Sequence, residues 1–202
     1  MFDWMLPKNH AISILRKDHD TVKELFEEFE EAESVGDAEK IIDRALTALK
    51  IHAVLEEEIF YPAVRAHVGS EVMNEADEEH HVAKILIAEL DRGPDQDHRT
   101  AKFAVLAENV RHHIREEENE MLPKAKEMDI DFEALGQRML DRKASLLKNG
   151  IPRDAEHAMV AKANGKSGNG ATAKRKAATP RKAAKAATRK GSERKTGTHA
   201  MM

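Results

Sequence analysis

Two short stretches pair an imidazole with a carboxylate at the same spacing. "HAVLE" sets His52 four residues before Glu56, and "HIREE" sets His113 four residues before Glu117. A proline follows each glutamate by six positions, Pro62 and Pro123, and the two stretches are offset by 61 residues. His19 and His80 obey the same offset. Residues four apart on a helix share a face, so each HxxxE pair can grip one object. Four histidines and two glutamates turned into one core are costly unless something satisfies them. A metal does so, because imidazole and carboxylate become ligands once their protons leave. Six such ligands are too many for one tetrahedral zinc and suit two bridged ions, with the glutamates bridging and the histidines terminal. Nitrogen and oxygen donors without sulfur fit iron or manganese.

The elements that must position these residues read as helices. Ile12, Leu15, His19, Val22, Phe26 and Phe29 alternate steps of three and four, the pattern of a bundle seam. Ile42, Ala45, Leu49, His52, Glu56 and Ile59 repeat it. At the offset of 61 come Met73, Ala76, His80, Ala83, Ile87 and Leu90, then Phe103, Leu106, Val110, His113, Glu117 and Glu120. Breaks at "ESVGD", "HVGSE", "DRGPDQD" and "MDIDF" separate five helices, with Asp37 and Ser70 as capping residues and the fifth helix starting at Asp131. Short connections predict an up-down-up-down four-helix bundle followed by a short fifth helix. Pro62 and Pro123 are expected to kink or end the second and fourth helices. One seam histidine, or one HxxxE, is ordinarily a satisfied structural feature; six residues on the seam at one offset favour a metal site.

These stretches resemble the hemerythrin-like HHE domain family. "LRKDHDTVKELF" is similar to the family's first helix, "HAVLEEEIFYP" and "HIREEENEMLP" to its two HxxxE helices, and "EEHHVAKIL" to its third, over about residues 9–128. The resemblance implies a non-heme di-iron centre, two iron ions bridged by carboxylates and an oxo or hydroxo group. It makes His19, His52, Glu56, His80, His113 and Glu117 the ligands. It also implies handling of dioxygen, peroxide, nitric oxide or iron itself. Oxygen-carrying members have a second histidine one turn from the third-helix ligand, where this chain has Ala76 and Lys84. Glu120 is either an added oxygen ligand or a wet helix end. Ala76 and Ala83 flank His80 where Leu15 and Val22 flank His19, which leaves space for a small ligand. His81 and His112 lie off the seam and read as exposed. His10, His67, His98, His157 and His199 lack partners at the offset and read as surface residues. Glu57 and Glu118 are placed to tune the site from behind the ligands.

Composition narrows the function further. The 202 residues include no cysteine, which excludes disulfides, thiolate metal sites and cysteine nucleophiles. The opening "MFDWMLPKNH" lacks a secretory pattern and no apolar run reaches membrane-spanning length, so a cytoplasmic protein without membrane association is expected. Charge is divided unevenly. Of 33 Lys/Arg and 37 Asp/Glu, residues 161–202 hold twelve bases and one acid, leaving 21 bases against 36 acids in the body. We therefore expect an HHE domain at 9–150 and a disordered Lys/Ala-rich tail at 151–202, too poor in apolar side chains to fold. Such a tail suits non-specific DNA binding through residues 161–202, or contact with the acidic body. The overall expectation is a di-iron protein that binds or senses a small oxidant in oxidative stress. The alternatives are an iron-sensing or iron-storing protein, DNA-associated through its tail, and a peroxide-decomposing enzyme.

Overall fold

Side chains that fold back on backbone N–H groups start three of the helices. His10 Nδ1 accepts from the Ile12 N–H at the head of α1 (Ala11–Glu30). Ser34 Oγ accepts from the Asp37 N–H at the head of α2 (Val35–Leu55), so Ser34, not Asp37, is the cap. Asp131 accepts from Glu133 and Ala134 at the head of α7 (Phe132–Asn149). Between them lie α3 (Tyr61–Val68), α4 (Ser70–Leu90), α5 (Arg99–Glu116) and α6 (Leu122–Lys126). Ser70 is the first residue of α4 and Gly69, at φ 102°, precedes it as the cap. The structure, a computed structural model, describes residues 6–93 and 98–167. Every regular element among them is helical.

The two prolines do not end their helices. Glu56–Phe60 and Glu117–Met121 are single π-helical turns joining α2 to α3 and α5 to α6. The Tyr61 N–H bonds back to the Glu56 carbonyl, and the Leu122 N–H to that of Glu117. A proline ring collides with the carbonyl four residues before it in a regular α-helix, and a wider turn relieves that crowding. Each widened turn begins at a seam glutamate.

α1 packs along α2, and α4 along α5, as the repeat requires. α7 lies against α1 and α2, where Gly136 gives way to the Asn9 carbonyl; a Cβ there would collide with it. The apolar core falls into two clusters. One gathers Leu15, Leu55, Phe60, Val64, Met73 and Met139; the other gathers Val22, Phe26, Leu46, Leu90, Phe103 and Leu106. His19 sits in sequence between Leu15 of the first cluster and Val22 of the second, so a polar layer interrupts an otherwise apolar interior.

Part of the segment expected to be disordered is helical. Ala155–Ser167 forms a sixth long helix, α8, packed on α4. Its anchors are mainly polar: Glu156 meets His81 at 2.8 Å, and His157 meets Asp91 at 2.9 Å. The expectation of disorder for residues 168–202, and the DNA-binding reading attached to them, lie outside the described residues. Among the described residues no helix is long and apolar enough to cross a membrane.

Candidate metal centre

All six sequence-chosen residues are buried, and helices α1, α2, α4 and α5 with the two π turns bring them together. His19, His52, Glu56 and Glu117 present donor atoms within 4.8 Å of one another, and so do Glu56, His80 and His113. Glu56 belongs to both groups. Its Oε2 is 3.2 Å from His52 Nε2 and 3.3 Å from His80 Nε2. Glu117 Oε2 is 3.0 Å from His19 Nε2, and the His80 and His113 Nε2 atoms are 3.2 Å apart. The repeat thus yields two histidine pairs, His19/His52 and His80/His113, with Glu56 spanning both. Glu117 falls with the first pair alone.

The nitrogen and oxygen atoms of these groups converge on one another. His19 Nε2, His52 Nε2 and all four carboxylate oxygens of Glu56 and Glu117 lack an aligned hydrogen-bond partner, although they are fully buried. Buried polar atoms left this way cost roughly 1–3 kcal/mol each. A shared cation removes that cost, and the donor set fits one. Without a cation the available counter-charge is a proton. Burial alone would lower His19, but Glu117 and Glu118 outweigh it and raise its pKa to about 10. His80 is likewise lowered by burial and raised to about 10 by Glu56 and Glu57. Burial pushes Glu56 upward, yet His52 and His80 hold its carboxyl well below the usual range.

Comparison with known proteins agrees with this geometry. The family model for the hemerythrin HHE cation binding domain matches residues 10–125, more than half of the chain. The chain belongs to the hemerythrin HHE cation-binding domain family. Its fold is similar to that in the crystal structure of a hemerythrin HHE cation binding domain-containing protein from Mycobacterium kansasii. The TM-score is 0.58 at 24% identity, over 76% of this chain and 98% of the other. Comparison with curated proteins gives no match.

Behind this HHE site, carboxylates fix the imidazoles. A carboxylate only accepts, so His19 Nδ1 donates to Glu118 at 2.9 Å and His80 Nδ1 donates to Glu57 at 2.9 Å. His113 Nδ1 donates to Glu79 at 2.8 Å. Each bond turns the Nε2 lone pair inward, the tautomer a metal needs. Lys23 and Lys84 neutralise Glu118 and Glu57 from outside, at 3.4 and 3.0 Å. These lysines also differ by 61, so the repeat carried their signal; the sequence reading missed it. His52 Nδ1 is the exception, without a partner. The repeat counterpart of Glu79 is Asp18, one methylene shorter and engaged with Lys143.

Tyr61 was also missed. Its hydroxyl lies 3.1 Å from His80 Nε2 and 3.5 Å from His113 Nε2, where the second histidine pair lacks Glu117. Burial, then the charges of Glu56 and Glu117, push its phenol well above the usual pKa. Its repeat counterpart is Leu122, so the offset could not flag it.

A cavity of about 30 Å³ touches all four histidines and is walled mainly by apolar groups such as Val22, Leu49, Ala83, Ile87 and Val110, with Glu79, Lys84 and Asn109 also lining it. That volume admits a water or a diatomic molecule. Ala83, as expected, helps to make the room. Glu120 is exposed and close to Lys124, so it faces solvent, though within the π turn and not at a helix end. His81 and His112 are off the seam, His67 and His98 exposed. His10 and His157 depart from the surface reading: His10 caps α1 and stacks on Phe132, and His157 bridges Asp91 and Asp154. His199 lies outside the described residues.

Proposed function

We propose that this HHE protein binds two iron ions, one on each histidine pair, and uses the adjoining cavity to bind or sense a small oxidant. The observation that carries the reading is the convergence of His and Glu donor atoms without aligned partners on a buried layer beside a cavity of about 30 Å³. His19 and His52 would hold one ion and His80 and His113 the other, with Glu56 shared between them and Glu117 beside the first. Bound iron would supply an open coordination position and a change of redox state. The protein's own part is selection and protection. Glu57, Glu79 and Glu118 hold three imidazoles in the ligating tautomer, the Tyr61 hydroxyl offers a proton beside the second pair, and the apolar wall limits visitors to small, weakly hydrated molecules.

Nothing in the cavity recognises a larger substrate, so binding or sensing is favoured over sustained turnover. Iron sensing or storage is the second reading; it draws on the same layer and needs no cavity. We also propose a cytoplasmic location. The test is to load the full chain with Fe²⁺ without oxygen, then add dioxygen, peroxide or nitric oxide. A spectral change at one molecule per centre, without continued consumption, supports the proposal. No spectral response to any of the three leaves only sensing of iron or its storage.

A further inference from the structure

A second cluster of metal-binding side chains lies outside the inner layer. His112 Nε2 is 3.1 Å from Glu116 Oε1 and 3.5 Å from Glu79 Oε1, and the three residues offer donor atoms within 4.8 Å of one another. His112 is half exposed, at 51%, while Glu79 is nearly covered. The other oxygen of Glu79 holds His113 Nδ1 at 2.8 Å, so one carboxylate serves both the outer cluster and an inner imidazole.

The repeat counterparts of these residues are apolar, on the face that α7 covers in the first half. Sixty-one residues earlier, His112 and Glu116 correspond to Ile51 and Leu55, both buried in the apolar core. Ala76 likewise stands where Leu15 fills the first half. The missing bulk leaves a cavity of about 20 Å³ lined by Glu75, Ala76, Glu79, Glu116, Glu120 and, on its inner side, Glu117. Glu117 is 1% exposed; its Oε2 lies 3.0 Å from His19 Nε2 and neither oxygen has an aligned hydrogen-bond partner. An acidic cleft with low-dielectric walls concentrates cations. This one joins a solvent-facing His/Glu cluster to an unsatisfied carboxylate of the inner layer.

We propose that Glu79, His112 and Glu116 form a cation-acquisition site, which takes a divalent transition-metal ion from solvent and passes it along the cleft to Glu117. One imidazole and two carboxylates suit Fe²⁺, Mn²⁺, Co²⁺ or Zn²⁺. Three protein donors leave water on the ion, which keeps it exchangeable. The inference rests on the inner layer being a metal centre, and the experiment separates the two ideas.

Full-length metal-free protein is mixed with Fe²⁺ without oxygen, desalted at timed intervals, and assayed for bound iron. His112→Ala and Glu116→Gln should reach the wild-type end point but load about tenfold more slowly. Glu24→Gln, which removes an exposed acid on α1, should load at the wild-type rate. Wild-type loading rates in both site variants overturn the proposal, as does equal slowing by Glu24→Gln. A lowered end point overturns it too, because those side chains would then belong to the inner centre. Failure of the inner reading looks different: the wild-type chain itself would retain no iron.

Discussion

Glu56 Oε2 stands 3.3 Å from His80 Nε2, a contact that joins the first repeat to the second. The same oxygen is 3.2 Å from His52 in its own helix, so this one carboxylate is shared by both histidine pairs. Glu117 is grouped only with His19, His52 and Glu56. The two glutamates are equivalent in sequence and unequal in position. Glu56→Ala should therefore lower iron to below one per chain, whereas Glu117→Ala should retain the ion on His80 and His113. Equal retention by the two variants, measured by metal analysis after desalting, would show that both carboxylates bridge equally.

Metal should be a large part of the stability. The layer carries orphaned groups that a cation satisfies, while the apolar clusters on either side do not depend on it. At free metal a hundredfold above Kd, linkage gives about 2.7 kcal/mol. For a domain of this size that raises Tm by about 5–10 °C. Calorimetry of metal-free and iron-loaded protein checks this; coincident transitions would mean that the folded chain does not bind the metal in preference to the unfolded one.

pH should act in opposite senses on the two forms. Burial lowers His19 and His80, but their glutamate partners raise both to about 10 in the metal-free layer. A raised histidine contributes stability that is complete below its unfolded value near 6.5 and lost as pH climbs through the folded value. Metal-free protein should lose stability between about pH 6.5 and 10. Metal affinity should rise over that range, because binding must expel those two protons. Titration calorimetry in buffers of different ionisation enthalpy should read about two protons released at pH 7; none released would contradict the assignment.

How much of this was legible depended on whether a residue took part in the repeat. The ligand candidates stood out because six polar residues occupied an apolar seam at one offset. Glu57 and Glu118 followed from their adjacency to Glu56 and Glu117. Tyr61 was invisible, since its counterpart is Leu122 and a lone buried tyrosine carries no pattern. The π turns escaped because the one extra residue each accommodates falls near the end of the seam, where too few apolar positions follow to reveal the shift, although Pro62 and Pro123 marked the place. α8 was hidden for another reason. It is held through Glu156, His157 and one buried valine, Val160, so it lacks the apolar stripe by which a helix is read.

α8 also moves the boundary at which the basic segment should be cut. Residues 168–202 retain ten Lys/Arg and one Glu. If they bind DNA by displacing counterions, intact protein should shift a duplex at low salt and release it steeply as salt rises. Protein ending at Ser167 should not shift it. A gel-shift across a salt series decides the matter; equal binding by both forms, or none at low salt, rules out this role.

The central claim is that the His/Glu layer holds two irons. Its most direct test is iron content and the visible spectrum of the purified full chain, beside His113→Ala and His112→Ala. We expect two irons per chain with charge-transfer absorption in the wild type, a clear loss in His113→Ala, and full iron at equilibrium in His112→Ala. A single colourless zinc, no metal at all, or loss of iron in His112→Ala but not in His113→Ala would contradict it.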